Sequence, residues 1–202
     1  AHLGDRMDER YRLWFVEHAM HTGGAEPVAG LTSDVRPARR TRIVSYLGVL
    51  QQALRDVAAW AELGIAPPAS TGCTYVDGQV HVADGAAARR GTQAVVRATA
   101  NGGVRTEVAA GEPVRFRADV EVPVGAGGVV GVEWDFEGTG EYPLVEDDLD
   151  PALARYTSAV THTFTEPGTY FPAVRVTNQR AVDAGTPHCR IFNLGRVRVV
   201  VR

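Results

Sequence analysis

The chain has 202 residues, 45% of them hydrophobic and 22% charged, with a formal net charge of −3. That length holds one large domain or a small domain with an appendage, and that composition builds a core rather than a disordered tail. The mild negative charge, without a long basic run, argues against nucleic acid or an anionic membrane as main partner, and no apolar run nears the roughly 20 residues that span a bilayer.

All 21 basic residues are arginine, so a Schiff-base lysine is excluded. With abundant Ala, Gly and Val, this usage points to a high-GC, bacterial genome. The chain starts at Ala1 with no Met or signal peptide, and is expected to be the C-terminal portion of a longer exported protein. Cys73 and Cys189 admit one disulfide or two separate thiols, and the extracellular texture of the second half favours the disulfide.

Texture divides the chain into residues 1–64, a connector at 65–90 and a strand-rich region at 91–202. Arg12-Leu13-Trp14-Phe15-Val16 reads as a short buried strand, with a helix as the alternative. Glu17-His18-Ala19-Met20-His21 follows, then a loop of about twenty residues, a length that usually serves a site or is mobile. A helix is expected from about Arg42 to Leu63. Ile43, Leu47, Leu50, Leu54, Val57 and Ala61 form one stripe, with Gln52, Arg55, Asp56, Ala59 and Glu62 opposite. Gly64 suits a left-handed C-cap, and Pro67-Pro68 forbids continuation. Large aliphatic side chains are worth roughly 1.5–3 kcal/mol each when buried, so the stripe must pack on something.

In the connector, Tyr75–Val82 reads as a hairpin turned at Asp77-Gly78, and Ala86–Arg90 as one helical turn. Beyond it, Val114, Phe116, Ala118 and Val120 alternate with charged neighbours. Val130–Phe136, Val160–Phe164, Tyr170–Val176 and Val197–Val201 repeat the pattern. About seven short strands imply an antiparallel β-sandwich.

Two stretches carry resemblances. Val132-Glu133-Trp134-Asp135-Phe136-Glu137-Gly138-Thr139-Gly140 and Thr161-His162-Thr163-Phe164-Thr165-Glu166-Pro167-Gly168-Thr169-Tyr170 resemble, in order, the paired motifs of PKD domains. These are immunoglobulin-like extracellular modules, and the likeness runs over about 92–202. Glu137-Gly138-Thr139 departs from the family's Gly-Asp-Gly. Residues 1–64, ending Trp60-Ala61-Glu62-Leu63-Gly64-Ile65-Ala66-Pro67-Pro68, resemble the close of α/β-hydrolases of the tannase and feruloyl esterase type. That resemblance makes Leu13–Val16 the last strand, residues 43–63 the closing helix and His21 the catalytic histidine.

As general base, His21 would deprotonate a serine. No Gly-x-Ser-x-Gly elbow occurs here, so the serine and its acid would lie upstream, in a missing hydrolase body. The plainer account is that His18 and His21 are loop residues. No zinc spacing is present, His188-Cys189 included, and no cofactor is expected. Asp135, Glu137, Asp147 and Asp148 are weak calcium candidates, against which stands a solvated acidic loop without a calcium-loop motif. Trp14 and Trp60 read as core rather than sugar platforms. The expectation is a secreted, esterase-type C-terminal portion with an accessory sandwich for binding or bracing and no complete active site. The alternative is a non-catalytic binding or spacer module for polysaccharide or extracellular protein.

Overall fold

The computed structural model describes residues 4–19, 37–180 and 186–202. Its centre is a two-sheet sandwich. One sheet has the order β3 (Val95–Ala100), β5 (Pro113–Glu121), β8 (Arg155–Thr163), all antiparallel. The other has the order β11 (Ile191–Arg196), β10 (Ala173–Gln179), β6 (Gly128–Asp135), β7 (Leu144–Glu146). This second sheet continues past a kink. The Val197 N–H donates to the Pro172 carbonyl at 3.1 Å, and beyond it β12 (Arg198–Val201) pairs with β9 (Gly168–Tyr170) and, in parallel, with β4 (Arg105–Val108).

Alternation explains the core. Val114, Phe116, Ala118 and Val120 of β5 are buried and face Val132, Trp134, Val174, Val176, Val199 and Val201 of the second sheet. Trp134 is fully buried, and Phe116 and Phe136 flank it at ring-centroid distances of 5.8 Å each. Removing a tryptophan's area from water contributes roughly 4–6 kcal/mol before entropy is charged. Its indole N–H is not wasted: it donates to Ser158 Oγ at 2.8 Å, and Ser158 donates to Glu146 Oε1 at 2.6 Å. The Tyr156 hydroxyl donates to Glu146 Oε2 at 2.7 Å, which raises the Tyr156 pKa. β6, β7 and β8 are thus tied across the core by a satisfied polar chain.

One residue departs from the expected alternation. Thr177 pairs with Gly131 and Asn178 with Val129, so Val130 is a bulge, and Val129 rather than Val130 enters the core.

The hairpin forms as β1 (Cys73–Val76) and β2 (Gln79–Val82), with Asp77 and Gly78 at φ 49° and 79°. Ala86–Arg89 makes the short helix α2. Cys73 is exposed, Cys189 is buried, and both are free thiols, so the favoured disulfide is not formed.

The first stretch differs more. Leu13–Val16 is extended but joins no ladder: two of its N–H groups go to side-chain hydroxyls, and the Leu13 carbonyl accepts the Thr71 N–H at 2.8 Å. Leu13 N–H donates to Ser70 Oγ and Phe15 N–H to Thr71 Oγ1, each at 3.1 Å. The long helix α1 spans Leu47–Leu63 and starts five residues later than expected. Ile43 and Val44 remain extended because Val44 bridges Ala19 in parallel, its N–H donating to the His18 carbonyl at 2.9 Å. At the other end Gly64 is left-handed at φ 69°, and its N–H reaches the Trp60 carbonyl.

α1 lies on the sandwich with an unexpected side inward. Its buried residues are Gly48, Val49, Gln52 and Asp56. A Cβ on Gly48 would overlap the Arg190 carbonyl, so the helix backbone rests directly on the loop before β11. Gln51 Oε1 accepts the Cys189 N–H at 2.8 Å, Gln52 Nε2 donates to Asp56 Oδ1 at 2.9 Å, and Asp56 pairs with Arg180. Burial lowers the Arg180 pKa. On this inward side Gln51 serves a backbone N–H that needs a partner, while Gln52 pairs with Asp56 and Asp56 with Arg180.

Candidate functional site

The stripe expected to be covered faces out. Leu50, Leu54 and Val57 are 49%, 74% and 62% exposed, and Leu63 and Ile65 continue the surface. Beside it lies a cavity of about 540 Å³, lined by Tyr11, Trp14, Ala53, Val57, Trp60 and Pro67 among others. Arg12 stacks its guanidinium over Trp60 at 4.8 Å, and Trp14 Nε1 donates to the Pro68 carbonyl at 3.2 Å. The two tryptophans therefore wall a groove between the chain's start and α1 instead of filling a core. Few apolar patches of this extent lack an occupant.

A polar cluster under residues 17–19 ties this part of the chain to the sandwich. Glu17 pairs with Arg89, Gln93 Oε1 accepts the Glu17 N–H at 2.8 Å, and Gln93 Nε2 donates to the carbonyls of Glu17 and Phe192. Asn193 Nδ2 donates to the Ala94 carbonyl at 2.7 Å, and its Oδ1 lies 2.9 Å from His18 Nδ1. His18 has φ 60°, a strained value that this network holds. Nothing in the sequence warned of the cluster, because its members are 176 residues apart at the extreme.

Of the residues singled out from sequence, His21 lies outside the described residues. His18 takes part in the network just described. Ser70 and Ser158 are occupied by the hydrogen bonds already given, and Ser45 Oγ accepts the Leu47 N–H at 3.3 Å.

The acidic candidates are separated by their partners. Asp135, buried, accepts from the Gly138 and Gly140 N–H groups at 2.8 and 2.6 Å, so its carboxylate closes the turn after β6. Glu137 lies 3.4 Å from His162 Nε2, whose ring stacks on Phe136. Asp147 lines a different cavity, of about 340 Å³, on the outer face of β6 and β10, and Asp148 follows it. Among the described residues no group of three or more His, Cys, Asp or Glu could hold a metal ion.

A third surface went unnoticed in the sequence. A cavity of about 270 Å³ between residues 39–42 and the sandwich is lined by Arg39, Arg42, Thr169, Phe171 and Arg196, with Glu137 at one side. Nearby, the Tyr142 hydroxyl donates to the Arg40 carbonyl at 2.9 Å, and burial pushes its pKa above the ordinary range. Arginines spread over positions 39 to 196 leave no spacing signal, and only the fold collects them.

Comparison with known proteins agrees with the sandwich. The family model described as PKD domain matches residues 97–186. The PKD match begins within β3 and stops before β11, although β11 and β12 complete the same sandwich, and it leaves α1 and the hairpin outside. Two solved structures of the CARDB domain of a Pyrococcus furiosus protein are similar to the chain. One is a crystal structure in complex with di-metal ions, at 17% identity, covering 54% of this chain and 92% of that one, with TM-score 0.38. The other is a solution NMR structure at 14% identity, covering 54% and 94%, with TM-score 0.39. No curated protein matches the chain. None of these matches is a hydrolase, so the α/β-hydrolase resemblance of residues 1–64 gains nothing from them.

Proposed function

We propose that this chain is a non-catalytic accessory module, an immunoglobulin-like sandwich carrying a helix whose outer stripe seats on a second folded body. The observation that supports this reading is the inversion of α1: polar residues face the sandwich, while Leu50, Leu54 and Val57 face away. Leaving such side chains in water forfeits roughly 1.5–3 kcal/mol each that a covering layer would supply. The contacts of α1 with Arg190, Cys189 and Arg180 suit the role, since they fix the helix relative to the sandwich and so would orient the body it meets. The PKD match, to a domain typical of extracellular proteins, supports an extracellular setting.

The hydrolase-like ending at residues 60–68 names one such body, an α/β-hydrolase in which His21 would be the base. In that arrangement the serine and acid belong to the covering body.

The test is the triple variant Leu50→Glu, Leu54→Glu, Val57→Glu of the chain alone. The wild type should bind a hydrophobic dye and self-associate as concentration rises, and the variant should do neither. Exposed substitutions each change stability by about 0.5 kcal/mol or less, so Tm should stay within about 5 °C. A variant that no longer folds places the stripe inside the chain's own core and removes the reading. Turnover of p-nitrophenyl acetate by this chain, abolished by His21→Ala, would show a complete site instead.

A further inference from the structure

Arg39, Arg42 and Arg196 line one 270 Å³ cavity, and no carboxylate among the described residues forms an ion pair with any of the three. Glu137 is the single acid in the lining, and it is drawn towards His162. Arg196 Nε is buried without a hydrogen-bond partner, as is Nε of the adjoining Arg40. Burial, and then the positive charge of Arg42, lower the Arg196 pKa.

The same sheet face shows what a completed arginine looks like. Arg175 meets both oxygens of Glu133, at 2.7 and 3.0 Å, and stacks on Tyr142 at 4.5 Å. Arg196 has the stacking half of that arrangement, over Phe171 at 5.7 Å, and lacks the oxyanion. Guanidinium forks match planar or tetrahedral oxyanions two bonds at a time. Phe171 adds an apolar platform 43% exposed, and the Thr169 side chain a hydroxyl, at a scale suited to one ring rather than a long ligand.

We propose that this cavity binds an oxyanion, a carboxylate or sulfate, carried on a single sugar ring. The site shares no residue with the outer stripe of α1 and stands whether or not that stripe meets a partner.

The experiment is calorimetric titration of the full chain at low salt with sodium D-glucuronate, sodium sulfate and D-glucose, repeated with Arg42→Gln and Arg196→Gln. Saturable 1:1 binding of glucuronate is expected, weakened about tenfold or more by either substitution and by added salt. Glucuronate bound about tenfold more tightly than sulfate supports the sugar-borne anion. Equal affinities keep the oxyanion site and overturn the sugar. Glucose bound as well as glucuronate, no saturation with either anion by about 10 mM, or undiminished affinity in Arg42→Gln overturns the site. Arg42 is exposed, so that variant reports on binding even if Arg196→Gln fails to fold.

Discussion

Gly48→Ala separates two orientations of α1 by the sign of its effect. In an exposed helix, replacing Gly with Ala stabilises by about 0.5–1 kcal/mol, because Gly loses the most backbone freedom on folding. At position 48 the added methyl meets the carbonyl carbon and oxygen of Arg190, which are backbone atoms and cannot swing aside. Overpacking of that kind costs about 1–3 kcal/mol. Relief requires α1 to lift, which loosens the Gln51–Cys189 hydrogen bond and the Asp56–Arg180 pair. The net expectation is a loss of about 0.5–2 kcal/mol, or about 1–8 °C in Tm for a chain of this size. Circular dichroism on heating gives the sign, and hydrogen exchange should show α1 amides opening faster than those of β5 or β6. A variant that melts 2–4 °C higher, about what the propensity gain alone would supply, would mean that Gly48 does not touch Arg190. The outward stripe would then lose its basis.

Ser158→Ala should cost about 1–3 kcal/mol in chemical unfolding, since the Trp134 indole N–H is left in the core without an acceptor. A thiol reagent should modify Cys73 in the native chain and reach Cys189 only after denaturation, and reaction of neither would mean a disulfide after all. Asp119 is held below the usual carboxylate range chiefly by its hydrogen bonds from Arg117, at 2.8 and 2.6 Å. A depressed folded pKa gives stability that is present above the unfolded value near 4 and fades as pH falls through the folded value. The pair is half-exposed and screened by water, so Arg117→Gln should lower Tm only slightly at neutral pH. That difference should fade as pH falls through the folded Asp119 value, and persistence in acid below it would assign it to packing.

Most of the sandwich was legible because its strands carry the two-residue period with one wet face. β5 shows it cleanly, with Val114, Phe116, Ala118 and Val120 buried between Arg115 and Arg117. The Asp77-Gly78 turn and the Gly64 cap were legible for a related reason, since positive φ is a local demand that few residues meet. Legibility failed where a distant partner decided the outcome. Val130 yields its place to Val129 through a bulge opposite Thr177 and Asn178, and Val44 leaves the helix for a bridge to Ala19. Leu13–Val16 has the composition of a strand, yet Ser70 and Thr71 hydroxyls take two of its N–H groups. The arginine-lined cavity left no trace at all, since its parts come from residues 39–42 and from the second sheet.

The stripe on α1 marks the limit of hydrophobic patterning. Periodicity says which side of a helix avoids water; it does not say which neighbour ends the exposure. Here the nearer neighbour is the segment 188–190, where Gln51 accepts the Cys189 N–H as a leucine could not, and Gly48 leaves room for the Arg190 carbonyl. Polar satisfaction therefore claimed one side of the helix and left the other for a surface with no polar demands. A flat apolar sheet or helix layer has that character, and a solvated glycan or a charged peptide does not. We thus assign the two exposed features different partners: a folded apolar face for the stripe, and an anion for the cavity at Arg196.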